Sequence, residues 1–91
     1  MSKAKLQEIL TRRLKLKDAK FILERFGTRL NGSVISPTFK GKGDLERQRM
    51  IRKALDAEFG DESTRTVGMV LAYTPEEWDF DSVPNGAESI T

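Results

Sequence analysis

Ninety-one residues bound one small domain, and the absence of both histidine and cysteine removes disulfides, imidazole or thiolate metal ligation and triad-type nucleophilic catalysis. The net charge of +2 hides an uneven distribution: residues 1–60 carry fifteen Lys and Arg against seven Asp and Glu, whereas residues 61–91 carry Arg65 alone against seven acids. A basic body with an acidic end points to electrostatic recognition of an anionic partner.

The N-terminal residues Met1, Ser2, Lys3, Ala4 and Lys5 are charged from the start and offer no apolar signal-peptide region. No run approaches the ~20 apolar residues of a membrane span. A cytoplasmic protein without membrane contact is therefore expected. Leu6, Ile9, Leu10, Leu14 and Leu16 recur at helical spacing, with Arg12, Arg13, Lys15 and Lys17 on the remaining surface, and predict a helix over 3–16 capped by Ser2. Phe21, Ile22, Leu23 and Phe26, bounded by Asp18 and Gly27, predict a strand over 19–26. Two turn signals compete for the return, Gly27-Thr28 and Asn31-Gly32. The first leaves a longer return strand over 30–36, with Gly32 inside it at a bulge, and is preferred.

Pro37 ends that strand because it cannot donate to a ladder. Residues 38–42 read as one helical turn, with a positive φ expected at Gly41 or Gly43. Asp44 is placed as the N-cap of a helix over 45–59, whose buried stripe is Ile51, Ala54, Leu55 and Phe59 and whose stop is a left-handed Gly60. Residues 64–73 alternate, with Val67, Met69, Leu71 and Tyr73 on one face and Thr66, Gly68, Val70 and Ala72 on the other. They predict a strand with one buried face. Thr74-Pro75-Glu76-Glu77 is a capping-box helix start, and Trp78 is expected to fold back onto the domain. From residue 79 the chain turns acidic and polar and reads as a flexible tail. The result is an α+β domain over 1–78, with a three-stranded mixed sheet covered by helices on one face, followed by a tail over 79–91.

No catalytic or metal site emerges. Glu76 and Glu77 are helix-start acids, Ser33 and Ser36 have no activating imidazole, and Asp79 and Asp81 lack the further ligands that calcium needs. Gly41-Lys42-Gly43 is neither a Walker loop nor the Gly-x-x-Gly of an RNA-gripping KH loop.

Phe39-x-Gly41, then Arg47-Gln48-Arg49 at a helix start, then Thr74-Pro75-Glu76-Glu77-Trp78 after the last strand, resembles the BolA-like family. The resemblance runs from Leu6 to Trp78. It implies an α-β-β-α-α-β order of class II KH type and a non-enzymatic adaptor or regulatory role in iron–sulfur or stress-response biology, with a monothiol glutaredoxin as partner. In that family, histidine helps to hold a shared [2Fe–2S] cluster. This chain has Gln48 where the family has the central histidine of Arg-His-Arg, and Gly68 near its histidine in the last strand. Neither is a thiolate or imidazole ligand, so no cofactor is expected.

Binding is therefore assigned to the region 39–53, with Lys40, Gly41, Lys42, Arg47, Gln48, Arg49, Arg52 and Lys53 as candidate contacts. Glu46 and Asp56 are expected to pair with Arg49 and Arg52 on the exposed side. The partner is a protein or, from the same basic helix, nucleic acid such as DNA. The oligomeric state stays open, with a monomer as the default.

Overall fold

The computed structural model describes residues 1–82; of the acidic tail expected from residue 79, the part from 83 onward lies outside the described residues. Helix α1, Lys3–Leu14, begins where the Ser2 hydroxyl accepts the Lys5 amide at 3.1 Å. It ends two residues before the expected boundary because Lys15 turns into the left-handed region, φ 53° and ψ 50°. Leu16 still reaches the core, now from the loop. Strands β1, Lys20–Phe26, and β2, Arg29–Ile35, form a hairpin whose two-residue connection is Gly27-Thr28. Gly27 has φ 61°, the first central position of a type II′ turn, whose twist matches that of the flanking strands. The alternative Asn31-Gly32 turn is excluded, since both residues pair with β1.

A short 3-10 turn, Pro37–Phe39, follows and buries Phe39. The positive φ expected in the glycine loop falls on Gly41, at 82°. Helix α2, Asp44–Phe59, has Gly43 as its N-cap, with no side-chain cap. Asp44, expected as the cap, is instead the first helical residue, where its carboxylate faces the positive end of the helix dipole. Ile51, Ala54 and Leu55 are buried as expected, Phe59 only half so, and Arg47 joins the buried stripe. Gly60 stops the helix with φ 59° and ψ −131°, so its ψ is not that of a left-handed cap.

The start of the last strand departs from the expected pattern. Residues 60–66 form a 3-10 turn, Gly60–Glu62, and one helical turn, α3, Ser63–Thr66. The Thr66 hydroxyl donates to the carbonyls of Glu62, at 3.1 Å, and Ser63, at 3.3 Å, so a β-branched residue that reads as strand closes a helical turn. Strand β3 is Val67–Tyr73. Helix α4, Pro75–Ser82, follows, so residues 79–82 continue this helix. Thr74 and Glu77 form the expected capping box, with the Thr74 amide donating to Glu77 Oε1 at 2.9 Å and the Glu77 amide to Thr74 Oγ1 at 3.2 Å. Trp78 packs edge-on against Tyr73, ring centroids 5.2 Å apart.

The sheet order is β1-β2-β3, antiparallel then parallel. Leu6 and Leu10 of α1, Ile51, Ala54 and Leu55 of α2, and Phe39 cover one face, meeting Leu23, Leu30, Val34, Val67, Val70 and Ala72. Against β2, Leu30 pairs with Val67 but Gly32 with Val70, so Gly68 and Met69 together oppose Asn31. This bulge shifts the phase of the strand. Val67, Val70 and Ala72 turn inward, and Met69 and Leu71, expected beside Val67, are 63% and 40% exposed. The Asn31 side chain fills the gap, its Oδ1 accepting the Met69 amide at 2.8 Å.

Gly32 lies at this irregularity with φ 153°, where a Cβ would overlap the Ile22 carbonyl. Gly32→Ala is expected to cost about 3 kcal/mol or more of stability, measured by chemical denaturation. The same substitution at Gly27, where a Cβ would meet nothing within 4 Å, is expected to cost about 1 kcal/mol from its positive φ alone.

Candidate functional site

The candidate contacts divide between the interior and the surface. Arg47 is 5% exposed. Its Nε donates to the Lys42 carbonyl at 2.8 Å and its Nη1 to the Ala72 carbonyl at 3.0 Å. Nη1 and Nη2 clasp the two oxygens of Glu77 at 2.6 and 3.0 Å. The guanidinium also lies over the Phe39 ring, 5.9 Å from its centroid. Arg47 thus joins the glycine loop, α2, β3 and α4, and is spent inside the fold. Gln48 is half-buried, and its Nε2 donates to the Val70 carbonyl at 2.9 Å. Both side chains engage carbonyls on the edge of β3 that β2 does not pair.

The remaining residues lie outside. Lys40 and Gly41 are exposed, and Lys42 is half-buried. Arg52 leans on Ser63 Oγ at 3.2 Å and on Asp56 at 4.0 Å. Arg49 and Lys53 are exposed and, among the described residues, make no ion pair. The expected Glu46–Arg49 pair does not form; the expected Asp56–Arg52 pair does.

Two depressions flank Gln48. One, ≈ 380 Å³, is lined by Asp44, Arg47, Leu71, Ala72, Tyr73 and Glu77 together with Gln48. The other, shallower and ≈ 550 Å³, is lined by Gln48, Arg49, Arg52, Lys53 and Asp56. The first is a groove between α2 and the edge of β3; the second lies on the surface of α2 itself. Leu45, 64% exposed, stands one turn before Arg49 on the outer face of α2. Sequence reasoning missed Leu45 and Leu71 as surface residues. Leu45 sits four residues before Arg49 and six before the buried Ile51, which is a readable signal, whereas the exposure of Leu71 depends on the bulge.

Ligation of an iron–sulfur cluster does not fit these residues. The Gln48 amide is committed to β3, and the space that a side chain at position 68 would enter is filled by the Asn31 carboxamide. Among the described residues no group of three or more acidic, His or Cys side chains could hold a metal ion.

A sheet covered on one face, with α2 set along its parallel edge, defines a class of small α+β domains of class II KH order. No family model and no curated protein matches the sequence, but solved structures do. A bolA protein homologue from Coxiella burnetii superposes with a TM-score of 0.66 at 22% identity, over 87% of this chain and 97% of that one. A bol-like protein from Babesia bovis gives 0.59 at 29% identity, over 87% and 91%. BolA1 from Arabidopsis thaliana gives 0.61 at 21% identity, over 81% and 92%. The chain has the fold of BolA-like proteins.

The Arg47 fork holds the Glu77 carboxyl, helped by the Thr74 amide, at about 2 against an ordinary 4.5. A depressed carboxyl stabilises the fold fully above its unfolded value and loses that contribution as the pH falls toward its folded one. The stability difference between the native protein and Glu77→Gln is therefore expected to be constant above about pH 4.5 and to vanish near pH 2, followed by urea denaturation across that range. Arg47→Ala is expected to cost about 2 kcal/mol or more by the same measurement, and Arg47→Lys most of that, since an ammonium cannot supply the fork.

Proposed function

We propose that this chain is a non-enzymatic adaptor that works in the cytoplasm by docking a protein partner, of monothiol glutaredoxin type, on the outer face of α2. The observation that carries this reading is the pair of cations Arg49 and Lys53, without an ion-pair partner among the described residues, near the exposed Leu45. An apolar contact ringed by cations suits an acidic protein surface. The BolA-like fold supplies the class of partner, and the lack of His and Cys in the sequence makes the interaction independent of cluster ligation by this chain. Lys40 and Lys42, at the uncapped start of α2, extend the cationic rim.

A nucleic-acid partner is the weaker reading. Asp44 and Glu77 line the first depression and Asp56 the second, and all three oppose a polyphosphate. Among the described residues no aromatic ring lines the depression at Arg49 and Lys53 to stack a base.

Titration calorimetry against a monothiol glutaredoxin is expected to show binding that Arg49→Ala with Lys53→Ala weakens roughly tenfold, at unchanged thermal stability. No heat at high concentration would sink this reading. Binding of duplex DNA with a steep inverse salt dependence, lost in the same variant, would replace it with the second.

A further inference from the structure

The two edges of the sheet are treated differently. On β3 the outward carbonyls of Val70 and Ala72 are engaged by Gln48 and Arg47. On β1 no side chain of the described residues bonds the edge. The hairpin closes at the pair Phe26–Arg29, so the backbone groups of Phe26, Glu24, Ile22 and Lys20 face β2, and those of Phe21, Leu23 and Arg25 face outward. The side chains of Lys20, Ile22, Glu24 and Phe26 share the sheet face that the helices leave uncovered. All four are exposed, with Ile22 at 47% and Phe26 at 64%.

We infer that β1 pairs antiparallel with β1 of a second copy of this chain, centred on Ile22. An antiparallel pair keeps core side facing core side only when the opposed residue numbers have an even sum. Among those registers, centring on Leu23 sets Glu24 against Ile22, and centring on Glu24 sets like charges face to face. Centring on Ile22 opposes Lys20 to Glu24 twice, by symmetry, and Ile22 to its own copy. Both charged pairs then fall at non-hydrogen-bonded positions, where opposed side chains lie closest. Phe21 and Leu23 meet at the hydrogen-bonded positions, where their outward amides and carbonyls exchange four bonds. The product is a six-stranded sheet with Ile22 and its copy at the centre of the open face.

A single strand edge buries less than a standard interface, so the dimer is weak and concentration-dependent. It leaves the α2 face free and stands or falls separately from the proposed partner.

Sedimentation velocity on the full chain, up to roughly 1 mM, is expected to show a monomer–dimer equilibrium. Lys20→Glu sets four carboxylates across the seam, and Glu24→Lys four ammoniums. Each is expected to weaken association roughly tenfold, and circular dichroism reports whether each still folds. Mixing the two variants in equal amounts restores both opposite-charge pairs in a heterodimer, and is expected to return association to the native level. A native chain that stays monomeric throughout, single variants that dimerise like the native chain, or a mixture no tighter than its components would each overturn the pairing.

Discussion

A buried guanidinium is tolerated only where its donors are answered, and the architecture of this domain answers Arg47. Four donor–acceptor contacts reach Lys42, Ala72 and both oxygens of Glu77. These groups belong to the loop, the last strand and the terminal helix, segments far apart in the chain. Two of them also depend on a local device: the loop on Gly41, whose φ is 82°, and α4 on the capping box that orients Glu77. The Glu77 carboxylate therefore serves twice, closing the start of its own helix and neutralising the cation beneath it. Removing Glu77 leaves a buried guanidinium unanswered, a cost that packing cannot offset.

The bulge in β3 has a comparable reach. Strand side chains alternate strictly, so one extra residue reverses every side chain beyond it. Here the reversal brings Val70 and Ala72 into the core with Val67. It also sends Leu71 to the groove beside Gln48. The position near which BolA-like proteins carry a histidine lies within this bulge. Gly68 and the Asn31 carboxamide fit each other there, so the strand accommodates its extra residue by a side-chain-to-backbone bond and leaves no room for a ligand.

How much of this was legible follows from what each element depends on. The existence of α1 and α2, the start of α4, the Gly27 turn and the Thr74 capping box rest on local spacing and on residues with narrow conformational roles, and they read correctly from the sequence. The end of α1 did not, because Lys15 adopts a conformation usually left to glycine. The helical turn at 63–66 did not, because its β-branched threonines signal strand. The face of β3 did not, because a bulge is a property of two strands and leaves no trace in the pattern of one. Arg47 illustrates the same limit at the site. On a helical wheel it borders the apolar stripe, and its charge argues for solvent. Its burial becomes readable only once Glu77, thirty residues on, is known to arrive beside it.

The edges of the sheet supply the last step. An exposed strand edge is a template for pairing, and proteins usually blunt it with charge or with a covering element. Here β3 is blunted by α2, whose Arg47 and Gln48 occupy its carbonyls, so the surface left to partners on that side is the helix and not the strand. Among the described residues β1 has no covering helix and relies on charge alone. Lys20 and Glu24 carry opposite signs four residues apart, and a two-fold axis through Ile22 between them turns repulsion into complementarity. The same two residues that discourage pairing with an unrelated strand thus favour pairing with their own copy, in one register.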